Sequence, residues 1–153
     1  MLSGDKSRIE PARASSATGN APDMGLLAQL GIPSTTLWRN LVDGMFVFVG
    51  VFSPDGIVLD VNRAPLVAAG LSPDDVIGKP LWDTYWWSYS VVMQDDIRAV
   101  LRSVLSGDSV RRELMARIRD GQMIAVDCAF GPLRDAAGRV IAIAASGVDI
   151  SAR

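Results

Sequence analysis

Residues 45–62 read MFVFVGVFSPDGIVLDVN, and the fold is decided there. Met45 to Phe52 is a β-branched and aromatic run, a composition suited to a pleated surface. Ser53-Pro54-Asp55-Gly56 is turn chemistry, because proline presets φ and glycine accepts a left-handed backbone. The run resumes as Ile57 to Val61, so the segment predicts a β-hairpin. In its first strand Met45, Val47, Val49 and Val51 alternate with Phe46, Phe48 and Phe52, which makes both faces apolar. Helices on one side of a sheet would leave one of those rows wet. Cover is expected from an amphipathic segment around Leu37, Trp38 and Leu41, or from a second copy of the chain in a homodimer.

Downstream the period changes. Ser72, Pro73 and Asp74 predict a short helix, and Gln94 to Leu105 a longer one with Ile97, Val100, Leu101, Val104 and Leu105 on one face. Gly107 is placed to stop it. Val110 to Arg119 then alternates, with Val110, Arg112, Leu114, Ala116 and Ile118 sharing one side. Asp120-Gly121 turns the chain into Gln122 to Phe130, and Asp135 to Gly138 turns it into Arg139 to Val148. Two strands, a block of short helices and three further antiparallel strands predict an α+β domain with its helices on one face of the sheet.

Upstream, Met24 to Leu30 and Thr36 to Val42 carry apolar residues at helical spacing, with Ser34 or Thr35 available as a cap. Residues 24–43 are therefore expected to be an amphipathic helical segment. Residues 1–23 are rich in small and polar side chains and are expected to be a disordered tail. The domain proper is expected to span 44–151.

Composition narrows the function. Fifteen basic and seventeen acidic residues give a net charge of −2, so no positive field draws the chain to nucleic acid. The longest apolar run, Met45 to Phe52, is too short to span a bilayer. Met1 to Asn20 has no secretory signal pattern, and Cys128 is the only cysteine. A soluble, cytoplasmic protein is expected. With no histidine, the chain lacks the commonest general base, the usual haem ligand and a phosphate-accepting imidazole. Neither a catalytic site nor a metal centre is expected.

Taken together, several local sequences resemble the PAS family. They are Pro54-Asp55-Gly56, the strand end Leu59-Asp60-Val61-Asn62-Arg63-Ala64, the stretch Leu71 to Pro80, Gly131-Pro132-Leu133-Arg134-Asp135 before Gly138, and the ending Gly147-Val148-Asp149-Ile150-Ser151. The resemblance runs from Leu37 to Ser151 and is nearest to PAS domains of bacterial sensor kinases and cyclic-dinucleotide enzymes. It implies a PAS-like five-stranded antiparallel sheet that holds an apolar pocket against its helices, with output through the terminal helices. The effector, a histidine kinase of a two-component system or a cyclic-dinucleotide enzyme, would lie on another stretch of a longer protein. The flavin subclass that forms a cysteinyl adduct needs a cysteine in the helical block, where this chain has none. Histidine-ligated haem is excluded, while non-covalent flavin or another small molecule stays open.

Trp82, Tyr85, Trp86, Trp87 and Tyr89 fall where the family places pocket-side helices. They could stack on a planar ligand, or they could simply plug the core. Val126, Cys128 and Ile143 are expected to complete the pocket from the strands. Cys128 shares the inward parity of Ile124, Val126 and Phe130, where cysteine is commonly an inert small hydrophobe. Asn62 and Asp149 are expected in structural or relay roles, as helix caps or as partners of local backbone. Arg111, Arg117 and Arg119 form a basic stripe that Glu113 interrupts, so a nucleic-acid interface is not expected. Three functions compete: a ligand-sensing relay domain, a dimerising adaptor with a filled pocket, and a small enzyme using Asp60, Asp83, Asp95 or Asp96. The last needs carboxylates gathered in a cleft, and their spacing does not pair them.

Overall fold

The computed structural model describes residues 34–44 and 46–151. The expected tail 1–23, the expected helix Met24 to Leu30 and Met45 lie outside the described residues. The chain divides into two compact units, Met1–Trp38 and Arg39–Arg153, and the sheet with its helices belongs to the second. Helix α1, Ser34–Asp43, spans that division.

The hairpin predicted from residues 45–62 is present as β1, Phe48–Phe52, and β2, Val58–Val61. Gly56 closes its turn with φ 84°, and its N–H donates to Ser53 O at 2.8 Å. A side chain at 56 would stand 2.6 Å from the Trp82 ring, so glycine is required for packing as well as for φ. The first strand starts later than its composition predicts. Phe46 precedes it and is 99% exposed, whereas Phe48, Gly50 and Phe52 face the core and Val49 and Val51 are half-buried on the other side.

Helix α2, Arg63–Ala69, follows β2 directly and ends at Gly70 in a left-handed cap. Ser72 and Asp75 form a reciprocal capping box at the next short turn, Pro73–Asp75, and these hydrogen bonds hold the Asp75 carboxyl below its usual range. A second short turn covers Leu81–Asp83. Helix α3, Val91–Leu105, begins three residues before Gln94 because Ser90 caps it by accepting from Met93 N at 3.3 Å. Ile97, Val100, Leu101 and Val104 are buried as expected, but Leu105 rolls past the edge of that face and is exposed.

Strands β3, Val110–Arg117, β4, Met123–Arg134, and β5, Val140–Asp149, complete an antiparallel sheet in the order β2-β1-β5-β4-β3. The helical block carries the chain from one edge to the other, and the meander returns β5 to the side of β1, where Gly50 pairs with Ala145. On β3, Leu114 and Ala116 are buried, but Arg112 on the same parity is exposed. Strand β4 runs past Phe130 to Arg134; Pro132 is tolerated because β3 ends its pairing at Phe130, so no ladder bond on that side is lost. The core lies between the inner face of the sheet and α2, α3 and the turns between them.

Candidate functional site

Small residues at inward positions of three strands leave space that their neighbours do not fill. Gly50 of β1, Ala145 and Gly147 of β5, and Ala116 of β3 have little or no side chain, and they edge a cavity of about 80 Å³. A Cβ at Gly147 would stand 2.8 Å from Val126 Cγ1 and 3.7 Å from Cys128 Sγ, so any larger residue there would project into this space. Phe48 and Phe52 wall the cavity from β1, Pro65 and Ala68 from α2, and Leu81, Trp86 and Trp87 from the helical block. The lining side chains are apolar apart from the indole N–H groups of Trp86 and Trp87 and the Cys128 thiol; Ser146, between inward Ala145 and Gly147, is exposed and carries its hydroxyl on the other face of the sheet.

The two tryptophans are positioned by hydrogen bonds rather than by packing alone. Thr84 is 1% exposed; its Oγ1 donates to Leu81 O at 2.6 Å, and its carbonyl accepts from Trp87 N at 3.1 Å, which coils the segment into a turn. Trp86 Nε1 donates to Pro65 O at 3.1 Å and ties this turn to α2. Cys128 faces the cavity from β4, and burial, with the charge of Asp127 adding, pushes its thiol up to about 12. At neutral pH it is a protonated apolar surface, not a nucleophile.

A second constellation adjoins the wall. Asn62, 2% exposed, accepts from Val49 N at 2.8 Å and donates to Val47 O at 2.8 Å and to Val42 O at 3.1 Å. It therefore joins the end of α1 to the strand that carries Phe48 and Gly50. Although it occupies the N-cap position of α2, its side chain caps nothing there; Asp43 Oδ1 accepts the Arg63 N–H instead, at 2.9 Å. Beside it Arg39 pairs with Asp60 at 2.5 Å, and that hydrogen bond and charge raise the guanidinium pKa.

Residues 41–153 match the family described as PAS fold. The chain belongs to the PAS family. This PAS domain is 32% identical over 117 residues to the sensor histidine kinase TmoS of Ectopseudomonas mendocina, covering 75% of this chain and 12% of that protein. It is 29% identical over 115 residues to hybrid signal transduction histidine kinase D of Dictyostelium discoideum, covering 74% of this chain and 7% of that one. The chain thus spans a small part of either relative. The crystal structure of the PAS domain of an HTR-like protein from Haloarcula marismortui has the same fold, with a TM-score of 0.64 at 16% identity, covering 84% of this chain and 100% of that one. The domain is of the sensory kind found in signalling proteins such as these kinases.

Of the residues the sequence singles out, Trp86, Trp87, Val126 and Cys128 meet at the cavity of the PAS domain. The other four lie elsewhere. Trp82 turns towards α3, where the Arg98 guanidinium stacks 5.0 Å from its ring centre. Tyr85 donates to Ile118 O at 2.8 Å under the Arg117 guanidinium, 4.1 Å from its ring centre. Tyr89 donates to Met115 O at 2.5 Å, and burial raises its phenol pKa. Ile143 is fully buried but sits between Phe52 and Pro132, beyond the part of β5 that lines the cavity. Asp149 ends β5 and accepts from Ser151 N at 2.9 Å, a bond to local backbone. Asp60, Asp83, Asp95 and Asp96 do not line the cavity; Asp95 pairs with Arg98 and Asp83 accepts from Gln94. The arginine stripe is also dismantled, because Arg111 pairs with Asp127 and Arg117 bonds Tyr85 O at 3.0 Å. Sequence reasoning missed Phe48, Gly50, Ala68, Ala145 and Gly147. The signal available was the run of small residues at inward parity on β1 and β5.

Proposed function

We propose that this PAS domain is the sensory input and relay module of a bacterial signalling protein and takes up one small, uncharged, apolar molecule in the cavity. The observation that carries this reading is the wall itself, which holds no charged side chain and no polar ones beyond the indole N–H groups of Trp86 and Trp87 and the Cys128 thiol. An ionic ligand there would lose its hydration and find no counter-charge, whereas an apolar one gains dispersion contact with Trp86, Trp87, Phe48 and Phe52. A space of about 80 Å³ holds several water-sized molecules and limits the compound to at most a single small ring. Flavin fits poorly: its three-ring frame exceeds a space of about 80 Å³, and of the few polar groups on the wall Trp86 Nε1 is already bonded to Pro65 O. Haem fits poorly as well: the chain has no histidine, and the one thiol on the wall is held protonated.

Occupancy is relayed through Asn62 to α1 and through β5 to Asp149, on to an effector such as a histidine kinase or a cyclic-dinucleotide enzyme. The domain itself catalyses nothing and works in the cytoplasm. It acts as a homodimer through α1, where Leu41 is 53% exposed, and the outer side of β1, which carries the half-buried Val49 and Val51. Sedimentation should give a dimer that Leu41→Glu dissociates; a concentration-independent monomer would refute that arrangement. The ligand reading is tested by mass spectrometry of the undenatured protein purified from its own host. A neutral, ultraviolet-absorbing adduct of low mass supports it. A flavin, a haem or a charged metabolite bound stoichiometrically contradicts it.

A further inference from the structure

One side of the cavity lies where α2 faces the turn between β3 and β4. Ala68 of α2 lines the cavity there together with Ile118 and Ile124, which flank the turn, and all three are only partly buried. The turn, Arg119–Gly121, is held by its own bonds: Ile118 N donates to Gln122 O at 2.7 Å, and Gly121 N donates to the Tyr85 hydroxyl at 3.2 Å. Asp120 and Gly121 both take left-handed conformations, with φ 60° and 72°, and this aims Arg119 back across the gap. Its Nη2 donates to Val67 O at 3.4 Å, and its guanidinium lies over Gly70, where a Cβ would stand 3.4 Å from Nε. These two contacts bracket Ala68.

Among the described residues Arg119 has no carboxylate within ion-pair distance. Val67 O, near the end of α2, already accepts Gly70 N at 3.2 Å, and a cation is favoured beside such terminal carbonyls. The bond from Arg119 is long and exposed, so it can break at little cost.

We propose that Arg119 is a latch on the route between solvent and the cavity. Closed, it joins α2 to the β3–β4 turn over Ala68 and Ile118. Open, it lets the turn and the helix part and uncovers the seam through which a small apolar molecule passes. Its purpose rests on the ligand reading above, but its opening can be read without any ligand, because Cys128 lines the cavity and is the only cysteine.

The probe is methyl methanethiosulfonate, which converts the Cys128 thiolate to a methyl disulfide and releases methanesulfinate. At fixed pH and with fast reclosing, the rate follows the open population. Arg119→Ala should accelerate modification about fivefold, the effect of removing one exposed charge-assisted hydrogen bond. Arg119→Lys, which keeps a donor, should fall between, and Arg139→Ala on the distant β4–β5 turn should match wild type. The rates should depend little on urea below the unfolding transition. An unchanged rate in Arg119→Ala, equal acceleration in Arg139→Ala, or a urea dependence as steep as that of global unfolding would overturn the latch. A domain that binds no benzene yet shows the Arg119 effect would refute the ligand reading alone.

Discussion

Replacing Asn62 with Ala removes three hydrogen bonds at once and leaves Val49 N–H, Val47 O and Val42 O without their partner. The side chain is 2% exposed, so water cannot easily take its place. Each group stranded in this way costs roughly 1 to 3 kcal/mol. The low end applies to the part-buried Val47 and Val49 groups and the full range to the buried Val42 O, giving about 3 to 5 kcal/mol in all. For a unit of this size that is a fall in Tm of roughly 10 to 20 °C. Urea unfolding followed by tryptophan fluorescence, with an unchanged m-value, is the assay, and hydrogen exchange should show the Val49 amide losing protection. A loss below about 1 kcal/mol, with Val49 still protected, would refute the claim that Asn62 joins α1 to the cavity strand.

Other consequences follow from the same geometry. Trp86→Ala should weaken binding of a small apolar ligand by roughly 1 to 3 kcal/mol, the contribution of one large buried side chain, and calorimetry on both forms would read it. Unchanged affinity with unchanged circular dichroism would move the site away from this wall. Cys128 gives a pH dependence: its folded pKa of about 12 lies above the unfolded value near 8.5, so its contribution is intact below pH 8.5 and is lost as pH rises towards 12. Stability should fall by up to about 1.4 kcal/mol per pH unit in that window, and Cys128→Ala should abolish this part of the slope; an identical slope in the variant would show that the thiol is not held protonated by the fold.

The elements were legible wherever periodicity spoke for itself. The hairpin, the buried face of α3 and the three-stranded meander all follow from alternation or helical spacing plus turn chemistry. Their ends were less so, because they depend on single side chains such as Ser90, whose hydroxyl draws the start of α3 back to Val91. The cavity was half legible. Parity puts Val126 and Cys128 on the inner face, but it carries no information on position along the strand, which is why Ile143 shares the face without reaching the cavity. Trp82 and Tyr85 are drawn aside by Arg98 and Arg117, cations distant in sequence that a one-dimensional reading takes for solvated charge. The cavity itself is made by side chains that are missing, at Gly50, Ala145 and Gly147, and a search for chemistry-bearing residues passes over them.

The most direct test of an apolar, ligand-sized cavity is a calorimetric titration of wild type and Gly147→Val with benzene and with benzoate. At position 147 a Cβ already meets Val126, so valine fills the space at a cost of roughly 1 to 3 kcal/mol in stability. Wild type should bind benzene and not benzoate, and the filled variant should stay folded and bind neither. Benzoate binding as tightly as benzene, undiminished benzene binding by Gly147→Val, or no binding of benzene to wild type would contradict the account.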